Sequence, residues 1–158
     1  MTYTQSPHLT AEEIEEFLRK AQVARLCSHS GGGTIHAALV FFRYDEGRIV
    51  FGTSEKSRKA RNIIRDANVT LLIDVEGPPA KGVIVYGMAE TEKMDIGKRE
   101  HFATVVWLFE KYMPHDQAAS VAQGLFRLST WIKVKVHPSQ IGSFDYAKDE
   151  AIRKAVRG

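Results

Sequence analysis

The sequence predicts a mainly β protein, a six-stranded antiparallel split barrel with flanking helices, and three observations carry that expectation. Short β-branched and aromatic runs are separated by turn compositions such as "HSGGG" and "DEG", which join antiparallel neighbours. "TWIKVKVHP" alternates Ile132, Val134 and Val136 with Lys133 and Lys135, the period-two pattern of a strand with one wet face. Helical periodicity is confined to the beginning, to one segment between strands and to a block before the last strand, so helices rim a sheet and do not alternate with parallel strands.

In chain order, Thr10 followed by Glu13 forms a capping-box pattern, and Ile14, Phe17, Leu18 and Ala21 recur at helical spacing. "VARLCS" (Val23 to Ser28), "TIHAALVFFRY" (Thr34 to Tyr44) and "RIVFGT" (Arg48 to Thr53) read as a meander. In the following "FGTSEKSRKARNII", Ala60, Ile63, Ile64 and Ala67 share one helical face, so a short helix starts near Ser57. "VTLLIDV" (Val69 to Val75) and "GVIVYGMAET" (Gly82 to Thr91) are strands joined by "EGPPAK", whose prolines cannot continue a ladder. Asp95 to about Gly124 is helical, interrupted at "MPHD". The final "AKDEAIRKAVRG" is polar enough for a loosely held tail or an exposed helix.

At 158 residues and 44% hydrophobic content, a single domain over 1–158 is expected, with its core at about 10–147 and a polar tail at 148–158. A net charge of +3 on 22 basic and 19 acidic side chains implies a mixed surface, not a nucleic-acid binder by total charge. One cysteine excludes an internal disulfide framework, and no apolar run approaches the roughly 20 residues that span a bilayer. "MTYTQSPHLTAEEIEEF" lacks the order of a signal peptide, so a cytoplasmic protein is expected.

Most chemistry-bearing residues fit no known arrangement. The six histidines show no metal-ligand spacing, and no metal centre is expected. Cys27 reads as a small hydrophobe in a buried strand, and Gly31 to Gly33 as a hairpin turn without the Lys-Ser/Thr of a phosphate loop. No GxSxG supports hydrolysis. Trp107 and Trp131 sit where a large aromatic serves as core or interface, with no binding role assigned.

The segment with Lys56, Arg58, Lys59, Arg61 and Arg65 differs, because several features converge there. Thr53 ends a strand, Ser57 is a plausible N-cap, and Arg58 and Lys59 fall in the first helical turn. A phosphate would meet backbone N–H groups, the helix dipole, a guanidinium and an ammonium. At about 1.5 to 3 kcal/mol per charge-assisted hydrogen bond, Arg58 and Lys59 would supply roughly two to four decades of affinity for a phosphomonoester. From the residues alone, this anion site and a merely solvated basic face stand in balance.

Read together, "HAALVFFRYDEGRIVFGTSEKSRKARNI" and "KGVIVYGMAE" resemble the pyridoxamine 5'-phosphate oxidase-like superfamily of flavin-binding split β-barrels. The similarity continues through "WIKVKVHPSQI" to a late aromatic, Phe144, over roughly residues 10 to 147. It implies that Thr53, Ser57, Arg58 and Lys59, after Gly52, hold an FMN phosphate. It also implies that the flavin ring lies against Ala38, Leu39, Val40, Phe41 and Phe42. Gly82 and Val83 would contact the ring from a neighbouring chain or the barrel edge, and Phe144 would be a further aromatic contact. Such proteins are homodimers with a flavin at each of two interface clefts.

The chain departs from the vitamin B6 oxidases where they carry an arginine and a lysine on the long strand, here Ala37 and Phe42, and it lacks their C-terminal Arg- and His-containing motif. The resemblance therefore implies an FMN-dependent oxidoreductase of unassigned substrate, with deazaflavin- and haem-binding relatives as alternatives. No acid or base is assigned, His36 reading as structural. Two readings of another class are a flavin-storing dimer without turnover and a nucleic-acid module using the basic helix with Lys133 and Lys135. The second needs exposed aromatics among the cations, whereas Phe41, Phe42 and Phe51 read as interior.

Overall fold

A computed structural model describes residues 7–157; the first six residues, which the signal-peptide reading included, and Gly158 of the tail lie outside the described residues. Helix α1, Ala11–Lys20, begins at the expected capping box: Thr10 Oγ1 accepts from Glu13 N at 3.2 Å and Glu13 Oε2 from Thr10 N at 2.7 Å. Strands β1 (Val23–His29) and β2 (Ile35–Phe41) pair as a hairpin. Strands β3 (Arg43–Asp45) and β4 (Arg48–Ser54) are joined by Glu46 and Gly47, both at positive φ, as a two-residue turn of the twist-matched kind requires.

Helix α2 (Arg58–Arg65) separates β4 from β5 (Asn68–Val75), which pairs with β6 (Lys81–Met94). Helices α3 (Arg99–Glu110) and α4 (His115–Leu128) precede β7 (Trp131–Asp145), and α5 (Glu150–Arg157) forms from the polar tail. All pairings are antiparallel in one seven-stranded sheet ordered β2-β1-β5-β6-β7-β4-β3. The long β6–β7 ladder bends at a bulge where Tyr86 pairs with Gln140 and Gly87 with Pro138, leaving Ser139 extra. A Cβ on Gly87 would stand 2.4 Å from the His137 carbonyl oxygen, so only glycine admits this approach. Leu26, Phe51, Leu71, Val85 and Val134 fill the interior enclosed by the curled sheet.

The strand count exceeds the six expected because the Thr34 to Tyr44 run divides at Phe42. Its two parts occupy opposite edges of the sheet: β2 bonds only β1, and β3 only β4. One residue thus carries the chain across the split, and its peptide groups are left without ladder partners. Tyr112 and Lys111, just beyond α3, supply them. Phe42 N donates to Tyr112 Oη at 2.9 Å, and the Phe42 carbonyl accepts from Tyr112 Oη at 2.9 Å and Lys111 Nζ at 3.0 Å. Lys111 also donates to the Ala21 carbonyl, and Tyr112 Oη lies 2.6 Å from that of Gln22. The Phe42 ring is fully buried with the Lys111 ammonium 4.3 Å from its centroid.

Replacing Tyr112 with Phe strands the Phe42 N–H in the interior, and the expected loss is about 1–3 kcal/mol of unfolding free energy, read from urea titrations of both proteins.

Candidate functional site

Among the described residues no strand lies beside the edge of β4 beyond the three residues of β3, and the outer edge of β2 faces it across the split. Between them lies a cleft of about 330 Å³ lined by Leu39, Val40 and Phe41 on β2, Gly52 to Ser54 on β4, Ser57 and Lys59 of the following turn and helix, and Leu108, Phe109 and Trp131. As an edge strand, β2 offers alternate unpaired peptide N–H and C=O groups. The long wall is apolar.

One end of the cleft is polar. Ser57 is the N-cap of α2, its hydroxyl accepting from Ala60 N at 3.2 Å, and Thr53 Oγ1 lies 3.1 Å from Ser57 Oγ. With Arg61 N bonded to the Ser57 carbonyl, the open donors of the first turn are the N–H groups of Arg58 and Lys59. Lys59 is partly buried at this end, and among the described residues no carboxylate lies within ion-pair distance of it. Desolvation by burial holds its pKa below the usual lysine value. A half-buried ammonium with two hydroxyls and open N–H groups, but no counter-ion, is the arrangement a bound anion completes.

The expected residues do not all gather here. The cleft brings together Leu39, Val40, Phe41, Gly52, Thr53, Ser57 and Lys59. Ala38 is on the same strand but outside the lining, and Arg58 is exposed, its guanidinium 3.3 Å from Ser30 Oγ. Phe42 and Val83 are fully buried, with both side chains committed to the interior of the sheet. Gly82 and Phe144 are ladder partners, the ring so close that a Cβ on Gly82 would come within 2.7 Å of it. They stand roughly 40 Å along β7 from Trp131, so within one chain they do not share the cleft with it.

Three residues change their sequence reading. Trp131 is a cleft wall, its ring so close to Gly52 that a Cβ there would lie 2.9 Å away. The signal was available only through register: Ser54 pairs with Trp131, which brings the tryptophan to the strand end that holds Thr53. Phe41 is 54% exposed, not interior, because the alternation of β2 turns Val40 and Phe42 inward and Phe41 outward between them. Cys27 is half-buried and lines a shallow groove with Ile35, Tyr86 and Met88, while Leu26 and Ser28 on either side point into the core. Arg61 and Arg65 bond the Lys56 and His29 carbonyls, so both have structural partners.

The pyridoxamine 5'-phosphate oxidase family profile matches residues 10–130, and the chain belongs to that family. No curated protein matches it by sequence. Among solved structures, it is similar to a conserved hypothetical protein of Mycobacterium tuberculosis at 22% identity and TM-score 0.75, covering 93% of this chain and 92% of that one. It is also similar to an FAD-binding protein of Mesorhizobium loti at 15% identity and TM-score 0.63, over 88% of this chain and 95% of that one. The haem storage protein HutZ of Vibrio cholerae matches at 16% identity and TM-score 0.65, over 85% and 93%. At these identities the likeness establishes the split-barrel fold.

Because burial lowers the Lys59 pKa from the ordinary lysine value, phosphomonoester affinity should fall as pH rises toward that ordinary value of about 10.4. Lys59→Arg should flatten that fall, since a guanidinium stays charged throughout; calorimetric titration at stepped pH checks both.

Proposed function

We propose that this member of the family is a homodimeric FMN-binding protein acting as an oxidoreductase in the cytoplasm. The observation that carries the reading is Lys59, half-buried at the hydroxyl-lined end of an apolar cleft with no carboxylate beside it. A phosphomonoester fits that end, and a flat apolar ring fits the length bordered by Leu39, Phe41, Phe109 and Trp131. Arg58, tethered only by a long hydrogen bond to Ser30, is free to turn toward the phosphate.

Bound FMN would supply the redox chemistry, as hydride or electron transfer at its ring. The chain's own residues bind and orient. Lys59, Thr53 and Ser57 anchor the phosphate, unpaired β2 peptide groups meet the polar ring edge, and the apolar wall excludes water. Among the described residues, Lys59 is the one ionisable side chain lining the cleft, so a substrate needing proton transfer would have to bring or meet its own acid. The same lining favours a flavin over haem: among the described residues it holds no histidine, cysteine or methionine to ligate iron. The nucleic-acid reading is weaker too, because Lys133 is paired with Glu92 and Lys135 shares its groove with Asp45 and Glu100.

The outer face of the sheet supports the dimer reading. Ile35, Leu39 and Phe41 on β2 and Tyr86 and Met88 on β6 are 40–69% exposed, a run of large apolar side chains on a strand surface. Leu39 and Phe41 belong both to this face and to the cleft, so a second copy seated on it would close the cleft from outside. Such a copy is also the source from which Gly82 and Phe144 would reach the ring.

Replacing Arg58 and Lys59 together with Ala should remove roughly two to four decades of affinity for FMN and far less for riboflavin, which lacks the phosphate. Equal losses for both flavins would place the phosphate elsewhere, and no binding of FMN by the unaltered protein would defeat the proposal. Met88→Lys, on the apolar face but outside the cleft, should yield monomers by light scattering together with weakened FMN binding.

A further inference from the structure

Two buried polar side chains meet where β1 packs against α2, the helix whose start forms the polar end of the cleft: Ser28 on β1 is 1% exposed and Asn62 on α2 is 3% exposed. Asn62 Nδ2 donates to Ser28 Oγ at 3.1 Å. Asn62 Oδ1 accepts from an Arg65 guanidinium nitrogen at 3.0 Å, and the same nitrogen reaches the His29 carbonyl at 2.6 Å. A chain of hydrogen bonds therefore runs from β1 through Asn62 to Arg65 and back to the end of β1. None of these groups lines the cleft where the anion would bind except through the helix they hold.

Packing alone does not require a polar residue at position 62. Its helical neighbours on the inner face, Ala60 and Ile63, are buried apolar side chains, and burying an amide costs free energy unless it is bonded. What the amide adds is direction. Apolar contacts between a helix and a sheet tolerate rotation of the helix about its axis, whereas a donor aimed at one serine oxygen does not. Lys59 and Asn62 are three residues apart, on neighbouring positions of one helical face. Fixing Asn62 on Ser28 therefore fixes the side of α2 from which Lys59 enters the cleft, and with it the aim of the open N–H groups at the helix start.

We propose that Asn62 is a positioning residue: its buried hydrogen bonds to Ser28 and Arg65 set the rotation of α2 that brings Lys59 and the helix start onto the ligand phosphate. This rests on the FMN reading. The role is distinct from phosphate binding itself, since Asn62 touches neither the cleft nor its ligand. It also accounts for Arg65, whose charge serves the β1–α2 junction and not the anion.

The test measures dissociation constants for FMN and riboflavin with the unaltered protein and with Asn62→Leu, Ser28→Ala and Asn62→Asp. Asn62→Leu should weaken FMN about tenfold and leave riboflavin within about twofold, because only the phosphate end is displaced. Ser28→Ala, which removes less volume and carries the test should the leucine variant not fold, should shift the preference the same way by about threefold. Asn62→Asp keeps the bond accepted from Arg65 and replaces the bond to Ser28 by one in which the serine hydroxyl donates to the carboxylate, so it should keep most of the preference for FMN. Equal weakening of both flavins, or no selective loss, would show a structural role only and overturn the inference. Absence of any preference for FMN over riboflavin in the unaltered protein would overturn the reading beneath it, a result visible before any variant is made.

Discussion

The structure depends on how one residue crosses the split. Phe42 leaves β2 at one edge of a seven-stranded sheet and enters β3 at the other, so the sheet is joined covalently where it is not joined by hydrogen bonds. A peptide in that position has no ladder to pair with, and a buried unpaired amide is costly. Tyr112 and Lys111 remove the cost, and they come from a helical hairpin inserted between β6 and β7. That hairpin has its own apolar cluster, centred on Val105, Val106, Ala118 and Ala122. The clamp on Phe42 is therefore held from a separately packed body.

The cleft is a consequence of the same crossing. Because β3 is only three residues long, it covers the beginning of β4 and leaves the rest of that strand's edge open opposite the edge of β2. The α3 residues that wall the slot, Leu108 and Phe109, lie one turn before the clamp, so the contact that seals the barrel also places the wall. At the other end, Ser54 Oγ lies 2.6 Å from Ser129 Oγ and Glu55 N donates to the Thr130 carbonyl at 2.9 Å, which fastens the β4–α2 turn to the start of β7. Trp131 and the anion end are held together by these two bonds.

Electrostatics divides the basic segment by function. An ammonium half-removed from water without a counter-ion is unfavourable for the folded protein, and Lys59 bears that burden in the absence of ligand. Arg65 and Arg61 satisfy carbonyls around the helix, and Arg58 rests against Ser30. Elsewhere the cations are neutralised locally: Arg25 by Asp74, Lys133 by Glu92, Lys148 by Glu13. Lys111, the other half-buried lysine without a carboxylate beside it among the described residues, is held by the Ala21 and Phe42 carbonyls, whereas Lys59 has the open cleft before it, and an anion bound there would recover the desolvation already incurred in folding.

Local signals were sufficient wherever the controlling contacts are near in sequence. The capping box at Thr10 and Glu13, the N-cap at Ser57, the turn at Glu46 and Gly47 and the alternation of β7 each depend on neighbours within a few residues, and each was legible. The likeness of "SRKA" and "VIVYGMAE" to a known family added the fold and the anion end. Tertiary structure decided what depends on partners distant along the chain. Where the Thr34 to Tyr44 run breaks turns on Tyr112, seventy residues away, which takes up the Phe42 peptide groups that neither sheet edge pairs; nothing in the eleven residues themselves marks that point. Trp131 became a wall only through its register with Ser54, and Cys27 turned outward only because β1 lies between β2 and β5 with Leu26 and Ser28 facing the core. Composition and periodicity report which residues prefer burial; the register and edges of the sheet decide which of them meet, since those are set by pairings that no local window contains.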